Sequence, residues 1–335
     1  MLTQIYYVQS VYYSRLYRAL DSLDAYTDRA LFSGSFPVLI TYTSTRRAKV
    51  LARSDRKIYS QSSFLDVQIN PDCLHLLKNG MVSLSAPIYD TMIQYGQITH
   101  PGLVRDHNED NYLVDEELRL WVIADGMGGH ACGEVASQIV VDLVHDKIKS
   151  GHTLQEAVEG AHEIVLVAAA QHLGMPGMGS TVVAACIHED HFEIAWVGDS
   201  RAYLWENGKL RQITRDHSFV QQMVDAGALS VNEARRHPHR NIVTQAIGAS
   251  DLEKVEAGTS RIPLKKGQQV LLCSDGLSDE VTQEEISMVL SGSEEEQIKV
   301  NQLLELALVH GGADNITILL ISAPEDIPVL TNTIE

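Results

Sequence analysis

Beyond residue 92, apolar positions recur with two distinct periods. From 134 to 149, Val135, Ile139, Val140, Leu143, Val144 and Ile148 fall at helical spacing, and from 154 to 172 Leu154, Ala157, Val158, Ala161, Ile164, Val165 and Ala168 do the same. Around these two predicted helices lie short β-type runs at 118–124, 180–187, 192–198, 201–205, 209–213, 269–273 and 316–322. Asn207-Gly208, between two of them, is a strong hairpin signal. Further helical patterns fall near 283–290 and 295–309, and a polar stretch rich in His and Arg fills 214–250. Hairpins imply antiparallel sheets rather than a doubly wound parallel one. Two such sheets, each with helices packed on its outer side, bury both faces. The expected class is α+β, a four-layer α-β-β-α sandwich of two antiparallel sheets flanked by antiparallel helix pairs.

The first 90 residues read differently. Tyr6, Tyr7, Tyr12, Tyr13 and Tyr17 with Leu16 and Leu20 suit an amphipathic helix, and 37–42 suits a strand. Arg46, Arg47, Lys49, Arg53, Arg56 and Lys57 form a basic run that reads as solvated surface or as a binding patch. Charge divides the chain at the same place. Residues 1–90 hold 10 Lys+Arg, 7 Asp and no Glu, a net of +3, whereas 91–335 carry −21 of the chain's total of −18. An acidic chain with 44% hydrophobic residues is neither disordered nor suited to coating nucleic acid or an anionic membrane. No apolar run reaches the ~18 residues of a membrane span, and the N-terminus lacks the pattern of a secretory signal. Cys73, Cys132, Cys186 and Cys273 are widely separated with no CxxC pair, which fits a reducing cytoplasm.

Candidate chemistry lies where apolar runs meet aspartate: Asp125 before Gly126, Asp199 after Gly198, Asp275 before Gly276, and Asp314 opening the last strand. Any one of these is an ordinary turn signal. Four at sheet ends also suit a shared cation, because gathered carboxylates repel one another without one. An all-oxygen set with water suits Mg²⁺ or Mn²⁺ rather than zinc. Glu109 and Asp110 are adjacent carboxylates that add to the set, and Arg105 offers a planar fork matched to phosphate.

The ordered motifs R-x-x-N-E-D (105–110), D-G-M-G-G-H-x-x-G-E-x-A-S (125–137), G-M-G-S-T (177–181), G-D-S-R (198–201), S-D-G-L-x-D (274–279) and G-x-x-D-N-x-T (311–317) resemble the bacterial PPM-type, or type 2C, metal-dependent Ser/Thr protein phosphatases. The resemblance implies a β-sandwich flanked by helix pairs with a dinuclear Mn²⁺ or Mg²⁺ site at one end. It implies Asp110, Asp125 and the Gly126 carbonyl as ligands on one side, with Asp275 and Asp314 on the other. Glu109 matches a position that orients metal-bound water, and Arg105 the residue that grips the phosphate. Asp199, Asp275 and Asp279 resemble a third, looser metal site, and 215–250 a variable flap. Met127 stands where some members carry a catalytic histidine, and His130 reads as a local structural group.

The resemblance thus implies hydrolysis of phosphoSer and phosphoThr by a metal-bridging hydroxide. No protein nucleophile is required, consistent with the absence of a Cys-x₅-Arg loop. Phosphorylated proteins are the implied partners, among them a Ser/Thr kinase or its substrates, with no nucleic acid and no membrane. An inactive pseudophosphatase that senses a metal or partner is the alternative, and lost ligand positions would mark it. The expected organisation is a phosphatase domain over 92–323, a tail at 324–335, and a prefix at 1–91. The prefix is either a true N-terminal extension of unknown role or the product of a misassigned start, with Met81 and Met92 as internal candidates.

Overall fold

The computed structural model describes residues 93–128, 131–171 and 177–323, together with the backbone of four strands nearer the N-terminus. The chain divides into two units, 2–89 and 90–335. In the first, β1 (Arg29–Leu31), β2 (Val38–Thr43), β3 (Arg47–Ser54) and β4 (Lys57–Tyr59) form an antiparallel sheet in that order. The strand expected at 37–42 is β2, which runs one residue further and pairs with β3 through Val38↔Ala52 to Thr43↔Arg47. The helix expected from the tyrosine pattern at 6–20 lies outside the described residues.

The second unit is the four-layer sandwich. One sheet has the order β13 (Gly258–Pro263), β10 (His191–Val197), β9 (Val182–Ile187), β7 (Leu120–Met127), β6 (Asp110–Asp115), with the short β8 (Gly179–Ser180) on the end of β7. The other has the order β12 (Lys209–Gln212), β11 (Arg201–Glu206), β14 (Gln269–Cys273), β15 (Ile316–Ser322), β5 (Tyr95–His100). All pairings are antiparallel. The Asn207-Gly208 signal is borne out: both residues have positive φ, 53° and 75°, and Glu206 faces Lys209 across the turn.

Period-two alternation assigns each strand residue to a layer. On β7, Leu120, Val122 and Ala124 pack outward against α1 (Ala131–Lys149) and α2 (Leu154–Ala170), while Trp121 and Ile123 enter the gap between the sheets. On β14 and β15, Val270, Leu272, Leu319 and Ile321 fill that gap. Leu271, Cys273, Ile318 and Leu320 face the outer layer formed by α5 (Asp275–Ser278), α6 (Gln283–Leu290) and α7 (Glu296–His310). Both long helices of the first pair were legible, although Ile164, counted in the apolar stripe, is 43% exposed. The strands β5, β6 and β13 were not: they are short and their outer positions are polar, so alternation stands out weakly. Within the polar stretch 214–250 the chain forms two short helices, α3 (Phe219–Asp225) and α4 (Val231–Ala234).

Candidate active site

The site forms where both sheets end. Asp110 opens β6 and is the cross-strand partner of Asp125 on β7. Strand β7 continues through Asp125, Gly126 and Met127, where β8 pairs with it, rather than ending at 124 as the apolar run suggests. Asp125 follows Trp121 and Ile123 in parity, and Asp110 precedes Tyr112 and Val114, so both carboxylates share the inter-sheet face. The second sheet brings Asp275, at the start of α5 directly after β14, and Asp314, which precedes β15. Asp199 lies where the chain leaves β10 in one sheet for β11 in the other.

Close backbone packing fixes the end of β7. Gly126 N–H donates to the Glu109 carbonyl at 3.1 Å, and the Asp125 carbonyl accepts from Thr181 N–H at 2.8 Å. A Cβ at Gly126 would stand 2.1 Å from the Gly133 carbonyl oxygen, so only glycine fits. The Glu109 carbonyl also accepts from Ser137 Oγ at 2.6 Å, and its N–H donates to Asn315 Oδ1 at 2.8 Å. Glu109 therefore ties β6, β7, α1 and the Asp314 loop together through its backbone, besides offering its carboxylate.

Asp110 is almost fully buried. Its Oδ2 accepts from Ser274 Oγ at 2.8 Å and Thr317 Oγ1 at 2.7 Å, both in the opposite sheet's half of the site. Its Oδ1 and Asp275 Oδ1 are buried without a hydrogen-bond partner. Burial, against the Thr317 and Ser274 hydroxyls and assisted by Asp314 and Glu109, raises the Asp110 pKa to about 6. Burial and then the charges of Asp110, Asp275, Asp199 and Asp314 push Asp125 well above the ordinary range. Asp275 is pushed the same way by burial, then by Asp199, Asp279, Asp314 and Asp110. As whole residues, Asp125 and Asp275 are less completely buried than Asp110.

Asp199 reaches about 7 through burial and Asp216, opposed by Arg201. Arg201 grips Asp216 with Nε and Nη2, the shortest contact being 2.6 Å. Asp279 caps α5 and pairs with Arg240 Nε at 3.4 Å. Arg105, half exposed, donates from Nη2 to Asp314 Oδ2 at 2.7 Å.

All eight predicted side chains, those of Arg105, Glu109, Asp110, Asp125, Asp199, Asp275, Asp279 and Asp314, thus belong to one end of the sandwich, with Gly126 beside them. Among the described residues the acidic and imidazole groups do not converge into a closed metal cage. The donor set nevertheless fits a hard divalent cation: two orphaned buried carboxylate oxygens and several mutually repelling carboxylates call for positive charge. Sequence reasoning missed Ser274 and Thr317, the hydroxyls that orient Asp110. It also missed Asn315, whose Nδ2 donates to the Pro101 and His107 carbonyls and holds the Arg105 loop. All three lie inside the quoted motifs, but their partners are more than 160 positions away in sequence. His130 lies outside the described residues.

Residues 104–304 match the family model described as Protein phosphatase 2C. The chain is 36% identical over 236 residues to the serine/threonine phosphatase stp of Listeria innocua, covering 67% of this chain and 93% of that one. It is 38% identical over 234 residues to the serine/threonine protein phosphatase PstP of Mycobacterium tuberculosis, covering 68% of this chain and 44% of that one. A crystal structure of M. tuberculosis PstP/Ppp superposes with a TM-score of 0.64 at 36% identity, covering 69% of this chain and 98% of that one. The PstP catalytic domain in complex with two manganese ions gives 0.62 at 34%, covering 69% and 97%. Fold, motif order and relatives agree, and the chain belongs to the protein phosphatase 2C family of serine/threonine phosphatases.

Proposed function

We propose that residues 92–323 hydrolyse phosphoSer and phosphoThr on proteins, using two Mn²⁺ or Mg²⁺ ions and a third, looser one. The observation that carries this reading is the meeting of Asp110, Asp125, Asp275 and Asp314 from both sheets, with Arg105 at their edge. Asp110, Asp125 and the Gly126 carbonyl would hold the ions from one sheet, Asp275 and Asp314 from the other. Asp199, Asp275 and Asp279 would hold the third. When bound, the ions activate water as the nucleophile and offset charge on the phosphoryl group.

The chain's own residues do the rest. Ser274 and Thr317 occupy Asp110 Oδ2, which leaves Oδ1 to face the site. Arg105 exchanges its Asp314 contact for the phosphoryl oxygens, two of which its planar fork can grip at once. It thereby fixes the phosphorus in line for attack and stabilises charge in the transition state. The Glu109 carboxylate orients water. No side chain acts as a nucleophile: Cys186 and Cys273 are buried, and burial pushes their thiols up to about 11 and about 12.

Each acidic position of the family pattern is present and the relatives are named phosphatases, which favours catalysis over a sensing pseudophosphatase. The partners in this reading are phosphoproteins, including a Ser/Thr kinase or its substrates, in the cytoplasm. The buried free Cys132, Cys186 and Cys273 support that compartment, and no described helix is long and apolar enough to cross a membrane. The reading assigns no role to residues 1–91 or 324–335. The test is phosphopeptide hydrolysis by the full chain and by residues 92–335, with Mn²⁺ and with excess chelator. Activity in both with Mn²⁺, lost in chelator and in Asp275→Asn, is expected. Equal activity in chelator would overturn the reading.

A further inference from the structure

The phosphatase unit is strongly acidic, yet residues 234–241 (ARRHPHRN) carry three arginines, two histidines and no acid. The backbone of this strip is held at both ends. Before it, α4 is capped by Ser230 and Glu233. After it, Ser218 bridges Val243, and Phe219 N–H donates to the Ile242 carbonyl at 2.9 Å. Within it, His237 N–H donates to the Ala234 carbonyl and Arg240 N–H to the His237 carbonyl. The rings of Phe219, His237 and His239 pack with centroids 5.6–6.1 Å apart.

On this fixed turn Arg235 and Arg236 are exposed, and neither forms an ion pair among the described residues. Arg240, four residues after Arg236, reaches Asp279 of the carboxylate site at 3.4 Å. At about 3.8 Å per Cα step, the Arg236 Cα stands at most roughly 15 Å from the Arg240 Cα, and the Arg240 side chain adds several ångström before it meets Asp279. An extended peptide with its phosphorylated residue among the carboxylates covers that distance in about six residues or fewer.

We infer that Arg235 and Arg236 select phosphoproteins with acidic residues beside the phosphorylated Ser or Thr. The inference rests on the phosphatase reading and names its substrate class. An acidic segment is repelled by most of a surface carrying −21 between residues 91 and 335, so a local cationic strip decides whether it docks. The same acidity opposes a nucleic acid or an anionic bilayer, which would have to lie over far more of the surface than one turn.

The experiment compares kcat/KM of the full chain with Mn²⁺ for two phosphothreonine peptides. One is flanked by Asp and Glu, the other by Gln and Lys at the same positions. The ratio is read within each variant, so partial loss of folded protein cancels. Wild type is expected to favour the acidic peptide about tenfold at low salt, as two exposed charge contacts allow. Added salt shrinks the ratio, Arg235→Lys with Arg236→Lys keeps it, and Arg235→Glu with Arg236→Glu brings it below one. If the double reversal does not fold, single Arg235→Gln and Arg236→Gln variants must each lower it. A wild-type ratio of one or less, or a ratio indifferent to these changes, overturns the inference while leaving the phosphatase reading intact. Retention of an RNA oligonucleotide or of phosphatidylserine vesicles through these arginines without peptide preference also overturns it. Failure of wild type on both peptides removes the phosphatase reading and this inference with it.

Discussion

Asp110 and Asp125 are direct cross-strand partners whose carboxylates share the inter-sheet face. Opposed Cβ atoms in such a ladder stand about 4.5–5.5 Å apart, where like charges destabilise. In metal-free protein this pair therefore works against the fold that displays it. Asp125→Asn is expected to raise the chelator-treated Tm by about 2–4 °C, on the basis of roughly 1 kcal/mol of relieved repulsion. The same change should abolish the Tm gain that wild type shows in Mn²⁺, and with it phosphopeptide turnover. Thermal denaturation with and without Mn²⁺ measures both. A full Mn²⁺ gain in the variant would show that Asp125 holds no ion.

The raised carboxylates set a pH dependence. Asp110 is lifted to about 6 and Asp199 to about 7 from 3.8. Between pH ~4 and these values the folded state holds protons that the unfolded state has lost, so their contribution to metal-free stability disappears as pH rises through about 6 to 7. Divalent ions compete with the same protons, so Mn²⁺ affinity moves the opposite way. It should climb steeply from pH 5.5 through 7. Mn²⁺ titrations read by thermal shift across this range test it, and an affinity flat from pH 5.5 to 8 contradicts it.

Arg105 pairs with Asp314 at the solvent edge of the site. With its side chain 54% exposed, the pair contributes little to stability. Arg105→Lys is expected to leave Tm within about 1 °C, given under ~0.5 kcal/mol for an exposed pair. It should lower kcat/KM by about 10- to 100-fold, because lysine keeps the charge and loses the planar fork. Steady-state kinetics beside a melting curve separate the two effects, and an unchanged kcat/KM would remove Arg105 from the phosphate contact.

The layers were legible because burial leaves a periodic trace: Trp121 and Ile123 against Leu120 and Val122 on β7, and the stripes of α1 and α2. The acidic residues were legible because aspartate next to glycine at the end of an apolar run is locally conspicuous. Strand β6 was not, since Asp110 and Asn111 at the site end and Asp115 at the other break the apolar pattern. Ser274, Thr317 and Asn315 escaped for a different reason. A hydroxyl or amide acquires its role only from the group it faces, and Thr317 faces Asp110 across 207 positions. The Arg201–Asp216 pair was hidden in the same way, within a motif that pointed only to Asp199.

Thr317 gives the sharpest test of how the site is oriented. Its Oγ1 donates to Asp110 Oδ2 at 2.7 Å and lies 2.8 Å from Thr99 Oγ1, while its N–H donates to Ser274 Oγ at 2.9 Å. Thr317→Val keeps the shape and the N–H but removes one of two hydroxyl donors to a buried carboxylate. A buried acceptor that loses a donor costs about 1–3 kcal/mol, or roughly 2–4 °C in Tm per kcal/mol. Because that hydroxyl lowers the Asp110 pKa, its loss moves the midpoint of Mn²⁺ affinity to higher pH. Misorientation of Asp110 Oδ1 should weaken Mn²⁺ binding at neutral pH by about 10- to 100-fold. Thr317→Ser restores the donor and should recover the midpoint and most of the affinity. A valine variant that loses Tm with an unmoved pH midpoint would assign Thr317 to packing alone.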